Sequence, residues 1–304
     1  MARKKAARKK KGQKRLLLWF SLVLLLLCTI AATAYLVFLR PGTLKPLSPP
    51  IASAPKKKPA PLPAKPASPP PLVAPLAVKK TPEPAQLPMI SIIIDDMGFQ
   101  DKICADLIAL DLNLSFAFLP FGPHTATQLT EARRKNRDIL LHLPMQAQDS
   151  KWTPGPGALL TSMSSREIQA TLARDIAAVP HAMGVNNHMG SSFTENRAAM
   201  QSFLAGLKEH NLFFLDSLTS ARSVGFPMAK EMGLRTAQRD IFLDNSQDPQ
   251  QVVKQLDALI SLARKRGSAI GIGHPHQATL DALKRYQKQL QDRIQLVGIS
   301  RLLK

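Results

Sequence analysis

The sequence predicts an α/β fold built on a mostly parallel sheet, and three observations support this prediction. Eight apolar runs of strand length follow one another from residue 89 onward, and amphipathic helical stretches separate them. Polar side chains stand at the C-terminal ends of several runs, as expected for βα units with right-handed crossovers. The residues alone leave two arrangements open, a closed barrel and an open doubly wound sheet. The eight runs are residues 89–94, 113–119, 138–143, 182–186, 211–215, 241–243, 268–273 and 294–299.

The segment preceding these runs begins with a basic tail and an apolar stretch. Residues 1–15 hold nine Lys and Arg and no acidic residue, and the 24 residues of 16–39 carry no charge. About 20 apolar residues span a bilayer as a helix, so 16–39 is predicted to be a transmembrane anchor or uncleaved signal. The positive-inside rule places 1–15 in the cytoplasm. A cleaved signal peptide, cut near Ala32-Thr33-Ala34, is the alternative.

Residues 40–88 are predicted to be a disordered linker. Sixteen of the 25 prolines fall in this Pro-, Lys- and Ala-rich segment, and such a composition cannot build a core. The domain itself, 89–304, is nearly balanced in charge, with 24 basic and 20 acidic residues. A nucleic-acid partner is therefore not expected, because it requires a basic face on the folded domain.

Three helices carry recognisable end signals. An amphipathic pattern predicts one helix over residues 100–110. A capping box that begins at Ser164 predicts a helix that extends to Val179. Asp248 followed by Pro249 predicts the start of another helix, which ends near Gly267.

The first strand ends in two adjacent carboxylates, Asp95 and Asp96. Charged groups rarely enter a core unpaired, so both are expected at the strand tip, where α/β folds collect their functional sites. A divalent metal, a general base, or one of each would use such a pair. A helix N-cap beside a solvated Asp is the alternative.

Four later strand ends also carry chemically useful side chains. In a parallel sheet all five ends would face the same edge, and carboxylate and imidazole ligands there suit zinc or a similar divalent ion. A hydrogen-bonded cluster that holds the strand ends together is the alternative. The four groups are His142, then Asn186-Asn187-His188, then Asp216-Ser217, and finally His274-Pro275-His276.

These motifs, in this order, resemble the divergent branch of the polysaccharide deacetylase family over nearly all of residues 89–304. The resemblance implies a distorted (β/α) barrel of about seven to eight mostly parallel strands. It also implies that the first Asp of the pair is the general base and that the second binds the metal. The motifs that carry the resemblance are Asp-Asp, Leu-His-Leu-Pro-Met, Asn-Asn-His-Met-Gly-Ser, Phe-Leu-Asp-Ser and Ile-Gly-His-Pro-His.

Transferred by motif, the family roles give Asp95 and His274 as catalytic base and acid, and Asp96 and His142 as metal ligands. One departure matters: Gln146 stands four residues after His142, where ordinary family members have a second His ligand. Either His188 supplies that imidazole from another strand, or the metal site is weakened or lost. The candidate substrate-binding residues are Asn187, Asp216 and His276.

The expected function is that of a membrane-anchored, exported hydrolase that uses a divalent metal, with zinc as the expected ion. Its expected substrate is an N-acetylated envelope polysaccharide or a peptidoglycan-like glycan. The expected location is the inner membrane, with a single span and the C-terminal domain in the periplasm or outside the cell. Two alternatives stay open: a catalytically inactive domain that binds glycan or an envelope protein, and a metal-dependent hydrolase of another ester or amide.

Overall fold

The computed structural model describes residues 87–303, which form one parallel sheet of nine strands surrounded by helices. The strands follow the sequence runs closely, since every predicted run overlaps one. The strands are β1 Met89–Met97, β2 Ser115–Phe118, β3 Ile139–Met145, β4 Gly184–Met189, β5 Phe213–Asp216, β6 Thr236–Gln238, β7 Ile241–Phe242, β8 Ser268–Gly273 and β9 Gln295–Leu296.

Seven α-helices and two short 3₁₀ segments connect these strands. Most helices lie between consecutive parallel strands, which is the repeated βα pattern that the sequence predicts. The helices are α1 Asp101–Ala109, α2 Thr125–Arg134, α3 Ser165–Ala178, α4 Arg197–Glu209, α5 Gly225–Glu231, α6 Pro249–Arg266 and α7 Gln277–Arg293, and the 3₁₀ segments are Phe193–Glu195 and Ile299–Arg301.

The spatial order of the strands follows their order in the chain. Neighbouring strands pair from β1 to β6, and β7 pairs with β8, which returns to pair with β1. In the ladder of the described residues, β6 and β7 do not pair, so the ring is open at that point. β9 adds to the first residues of β1. The prediction of an α/β fold with a parallel sheet is therefore confirmed, and the curled, open ring of strands is consistent with the predicted distorted barrel.

Two apolar cores lie on the two faces of the curled sheet. Side chains alternate between faces along a strand, and Ile93 of β1 accordingly lies inside the barrel with Leu140, Phe213 and Ile272. Its neighbours belong to the larger core between the sheet and the helices. Ile299, beyond the last strand, contributes to the inner core. The strand mouths at the opposite end are thus free to carry polar groups.

The predicted helix ends are also present. Ser164 caps α3, and its capping box with Glu167 is complete. Asp248 accepts a hydrogen bond from the Gln250 N–H at the start of α6, and Gly267 ends that helix in the left-handed conformation at φ 88°. Local sequence therefore fixes these boundaries before tertiary packing is considered.

The predicted tail, span and linker lie outside the described residues. Within residues 87–303, no helix is both long and apolar enough to cross a bilayer. The predicted transmembrane segment stays a prediction from sequence.

Asp175 of α3 is a fully buried carboxylate outside the strand mouths. Its Oδ2 has no hydrogen-bond partner among the described residues, and Arg174 Nε lies 3.4 Å from its Oδ1. Burial raises the pKa of Asp175 to about 7, and Arg174 offsets only part of that effect. A raised folded-state pKa contributes stability at low pH that is lost as pH rises through that value.

We expect Asp175→Asn to remove this loss. The free energy of unfolding of the wild type should fall between pH 5 and pH 8 by on the order of 2 kcal/mol through this group, because each pKa unit corresponds to about 1.4 kcal/mol. The variant should lack that component. Urea denaturation at both pH values measures it, with the exposed substitution Glu131→Gln as control. Equal pH dependence in wild type and Asp175→Asn would contradict the assignment.

Candidate metal and acid–base site

The site begins where β1 leaves its regular pairing. The pairing of β1 with β2 shifts register between Ile94 and Met97, and Asp96 adopts a positive φ of 54°. Strand alternation directs Asp95 to the barrel interior, on the side of Ile93. The irregular backbone at Asp96 turns the second carboxylate to the same mouth. Asp tolerates the left-handed region better than most residues do, and such local strain is common at functional sites.

Three side chains from three strands meet at this mouth. Asp96 Oδ1 lies 3.1 Å from His142 Nε2 and 2.8 Å from His188 Nδ1. The two imidazole nitrogens are themselves 3.2 Å apart. His142 pairs in register with Asn186, two residues before His188, so both imidazoles lie on the same face of neighbouring β3 and β4 and both rings reach Asp96. These atoms form one of the groups in the described chain that have the spacing of metal ligands.

Asn186 holds this group in place. Its Oδ1 lies 2.9 Å from His142 Nδ1, and its Nδ2 donates to Asp95 Oδ1 at 2.8 Å and to Ser217 Oγ at 3.2 Å. Because Asn186 Oδ1 can only accept, His142 Nδ1 must carry a proton. In the neutral ring, His142 Nε2 then presents its lone pair towards Asp96 and His188, which is the tautomer that a metal ligand requires.

The buried carboxylates and imidazoles shift one another's pKa values. Burial raises the pKa of Asp95 above its usual value, although the charges of His142 and His274 act in the opposite direction. Burial alone would also raise the pKa of Asp96, but its hydrogen bonds and charge interactions with His142 and His188 hold it well below the usual range. Burial opposes the charged form of His142 as well, and the two carboxylates outweigh burial and raise its pKa. Protons on the imidazoles and a bound cation are thus alternative ways to neutralise Asp96.

His274, at the end of β8, is held by Asp244, which follows β7. Asp244 Oδ1 lies 2.9 Å from His274 Nδ1, and Asp244 Oδ2 accepts the His274 N–H and the Thr279 hydroxyl. Burial opposes the charge on His274, but the hydrogen bond and charge of Asp244 raise the pKa of His274 to about 9. His274 is therefore a proton donor at neutral pH. The ring of His276 lies 5.9 Å from that of His274.

Two predicted substrate-binding residues, Asn187 and Asp216, form hydrogen bonds to the loops beside them. Asn187 Oδ1 accepts the Ser217 N–H, and its Nδ2 donates to Met189 O and Thr219 Oγ1. Asp216 accepts hydrogen bonds from the loop and helix that follow β5, namely from the N–H groups of Leu218 and Phe226 and from Ser223 Oγ. Neither side chain is among the atoms that converge on Asp96.

Gln146 lies apart from the convergent group. Its Oε1 accepts from Thr161 N at 2.8 Å and Thr161 Oγ1 at 2.9 Å, so its carboxamide closes the loop that follows β3. His188, from the next strand, is the second imidazole beside Asp96. Sequence reasoning did not assign roles to Asn186 and Asp244. Asp244 could have been found by the strand-end rule, since it directly follows the weak run 241–243.

The fold and the strand-end motifs define the class of protein. A family model described as divergent polysaccharide deacetylase matches residues 92–303. The chain therefore belongs to the divergent polysaccharide deacetylase family, as the resemblance predicts.

Named relatives support this membership. The protein YibQ of Escherichia coli K12, described as uncharacterized, is 38% identical over 214 residues, which cover 70% of this chain and 67% of YibQ. A Haemophilus influenzae Rd protein, also described as uncharacterized, is 39% identical over 213 residues, which cover 70% of this chain and 76% of that protein. The crystal structure of the uncharacterized protein ATU2773 from Agrobacterium tumefaciens C58 matches with a TM-score of 0.69 at 25% identity, covering 72% of this chain and 91% of that one.

The pairing of Asp244 with His274 predicts a shifted titration. In the wild type, the His274 ring should titrate near pH 9, and in Asp244→Asn its pKa should fall by at least about one unit towards the ordinary value. NMR of the imidazole C–H signals measures both. Asp281→Asn, which removes a carboxylate from α7 that bonds Gln277 instead, serves as the control. The assignment fails if His274 titrates alike in wild type and Asp244→Asn.

Proposed function

We propose that this protein is a metal-dependent amide hydrolase that removes acetyl groups from an N-acetylated envelope glycan. The observation that carries the proposal is the convergence of Asp96 Oδ1, His142 Nε2 and His188 Nδ1 at 2.8–3.2 Å, beside the buried carboxylate of Asp95. Family membership supports the reaction class. The metal, the substrate and the location are part of the proposal.

The residues at the site fit a divalent cation. Asp96 Oδ1 is buried, and within residues 87–303 its polar contacts are the ion pairs with His142 and His188, whose geometry falls short of a hydrogen bond. A cation between the three atoms would neutralise this carboxylate in place of protons on the imidazoles. Four-coordinate zinc with bonds of about 2.0–2.1 Å would separate its ligand atoms by roughly 3.3 Å, close to the observed spacing. Two imidazoles and one carboxylate leave a position for water, as in catalytic zinc sites.

The side chains around this group supply the acid and the base. When bound, a divalent cation lowers the pKa of a water and polarises a carbonyl. Asp95 is suited to take the proton of the attacking water, because burial raises its pKa and the Asn186 amide fixes its orientation. His274, charged through Asp244, is suited to protonate the departing amine. The roles that the resemblance implies for Asp95 and His274 are thus chemically consistent with their surroundings.

The remaining substrate residues serve the site in different ways. His276, beside His274, is proposed to contact the sugar. Asn187 and Asp216 are proposed to act through the loops that they hold around the mouth.

The location also belongs to the proposal. The uncharged segment 16–39 and the basic residues before it favour a single-pass anchor in the inner membrane with its N-terminus in the cytoplasm. The domain would then act in the periplasm or outside the cell. There it would meet an envelope polysaccharide or a peptidoglycan-like glycan.

Metal binding should depend on His188 and not on Gln146. The wild type should bind about one zinc ion per chain, and calorimetry should show affinity that rises with pH because the imidazoles release protons. His188→Ala should weaken binding by at least about 100-fold, since it removes a ligand. Gln146→Ala should bind as the wild type does, because its carboxamide bonds Thr161. Zinc binding that survives His188→Ala but not Gln146→Ala would refute the ligand set.

Catalysis should depend on Asp95 without a loss of metal. Release of free amine from N-acetylated chitooligosaccharide or peptidoglycan should fall by roughly 10²–10⁴-fold in Asp95→Asn, the range expected for a general base. The variant should still bind zinc, because Asp95 is not among the three converging ligands. No amine release by the zinc-loaded wild type from any such glycan would instead favour an inactive glycan-binding domain.

A further inference from the structure

The last strand of the barrel is divided between two partners. β6 pairs in parallel with β5, and β7 pairs in parallel with β8. Only Arg239 and Asp240 separate β6 from β7, so the two form one bent strand whose first part belongs to β5 and whose second part belongs to β8. Within residues 87–303, no ladder joins β7 to the end of β5. The mouth of the barrel therefore lacks backbone pairing on this side.

The Arg239 side chain lies across this unpaired side of the mouth. The Arg239 main-chain N–H donates to Asp216 O at 2.9 Å, which continues the ladder with β5. Its guanidinium donates from Nε to Ser217 O at 2.7 Å and from Nη2 to Leu218 O at 2.9 Å. The guanidinium carbon also lies 3.6 Å from the centre of the Phe242 ring in β7. One side chain thus joins the loop after β5 to β7.

These contacts require the chemistry of arginine. A guanidinium is a planar fork of donors that can bind two carbonyl oxygens while its face stacks on an aromatic ring, whereas the ammonium of lysine is a single point charge. Burial lowers the pKa of Arg239, and the charges of Asp216, Asp95 and Asp240 offset part of that effect. The guanidinium stays charged at any pH at which the protein is folded.

Phe242 lies between Arg239 and the proposed acid. The ring centres of Phe242 and His274 are 5.9 Å apart, and the ring planes are inclined by 31°. Asp244, two residues beyond Phe242, binds His274 Nδ1 at 2.9 Å. The segment that begins with β7 therefore supplies both the ring beside His274 and the carboxylate that holds it. We call Asp244 and His274 the acid half of the site.

The carbonyl that Arg239 binds belongs to a residue of the opposite network. Ser217 Oγ accepts a hydrogen bond from Asn186 Nδ2 at 3.2 Å. Asn186 is also the amide that binds His142 and Asp95. Arg239 is therefore linked through Ser217 to the groups around the proposed cation. We call these groups the metal half of the site, and they are Asp95, Asp96, His142, Asn186 and His188.

We propose that Arg239 is a positioning residue that sets the distance between the acid half and the metal half of the site. On the other side of the barrel, β8 pairs with β1 over six residue pairs, so a ladder fixes the two halves there. Arg239 does so on the side where β7 has no such ladder. The inference rests on the proposed function for the reaction, and it extends that function to a residue outside the converging ligands.

Kinetics of Arg239→Met test the inference, because this variant removes both side-chain hydrogen bonds and keeps an unbranched side chain. In the zinc-loaded full chain, kcat for amine release from N-acetylated chitooligosaccharide should fall roughly 10- to 100-fold, since a misplacement of about 1 Å can cost on the order of 10²-fold in rate. KM and zinc affinity should each stay within about threefold. Arg239→Lys should recover only a small part of kcat. Arg235→Met, which changes an exposed arginine just before β6, is the matched control and should behave as the wild type.

A double variant separates positioning from a general loss of structure. If Arg239 acts through His274, its removal should cost little once Asp244 no longer holds that ring. The loss of kcat in Arg239→Met combined with Asp244→Asn should therefore be close to the larger of the two single losses. A loss equal to the product of the two single losses would overturn the inference.

NMR of the His274 imidazole C–H signals gives a readout that needs no reaction. In Arg239→Met these signals should shift, and millimolar guanidinium chloride should return them towards the wild-type positions by filling the vacated site. Phe242→Leu should shift the same signals, which keeps the test available if Arg239→Met does not fold. Unchanged His274 signals in folded variants would overturn the inference.

The failure of this inference is distinct from failure of the proposed function. If the zinc-loaded wild type releases no amine from any N-acetylated glycan but the His274 signals shift as expected, the proposed function fails and the positioning role stands. If the wild type releases amine and Arg239→Met has an unchanged kcat, the proposed function stands and the positioning role is overturned.

Discussion

The structure depends on the neutralisation of two adjacent carboxylates at the mouth of a parallel barrel. The Asp95 side chain is buried and that of Asp96 is 34% exposed, and both carboxylates need positive or hydrogen-bonding partners to stay ionised there. His142 and His188 provide that compensation from the two strands β3 and β4. The parallel sheet is what makes this possible, because it brings the C-terminal ends of separate strands to one edge.

Further residues hold these charges in a defined geometry. Asn186 binds both His142 and Asp95, and Asp244 binds His274. Asn186 thus orients the groups that lie beside Asp96, whereas Asp244 keeps His274 protonated as a proton donor. Titratable groups whose surroundings drive their pKa values apart are a general feature of acid–base catalysis.

Much of this was accessible from the sequence, and the exceptions have physical reasons. Strand runs, capping signals and the strand-end rule were sufficient for the parallel fold and for the convergence of Asp96, His142 and His188. The three-residue strand β6 was not predicted, because Thr236-Ala237-Gln238 is too short for a periodic signal. The hydrogen bonds of Asn186 to His142 and of Asp216 to its own loop were not predicted either. A polar side chain at a strand end can bond a neighbouring side chain or its own loop. Sequence spacing does not tell which of these two partners such a side chain bonds. The positive φ of Asp96 has no signature in the sequence.

We propose that His142 and His188 together complete a metal site in which Gln146 takes no part. X-ray absorption at the zinc edge of the metal-loaded protein tests it most directly, because the method counts the imidazoles bound to the ion. Two imidazole ligands at about 2.0 Å are expected, with oxygen in the remaining positions. A zinc ion with one imidazole or none would contradict it.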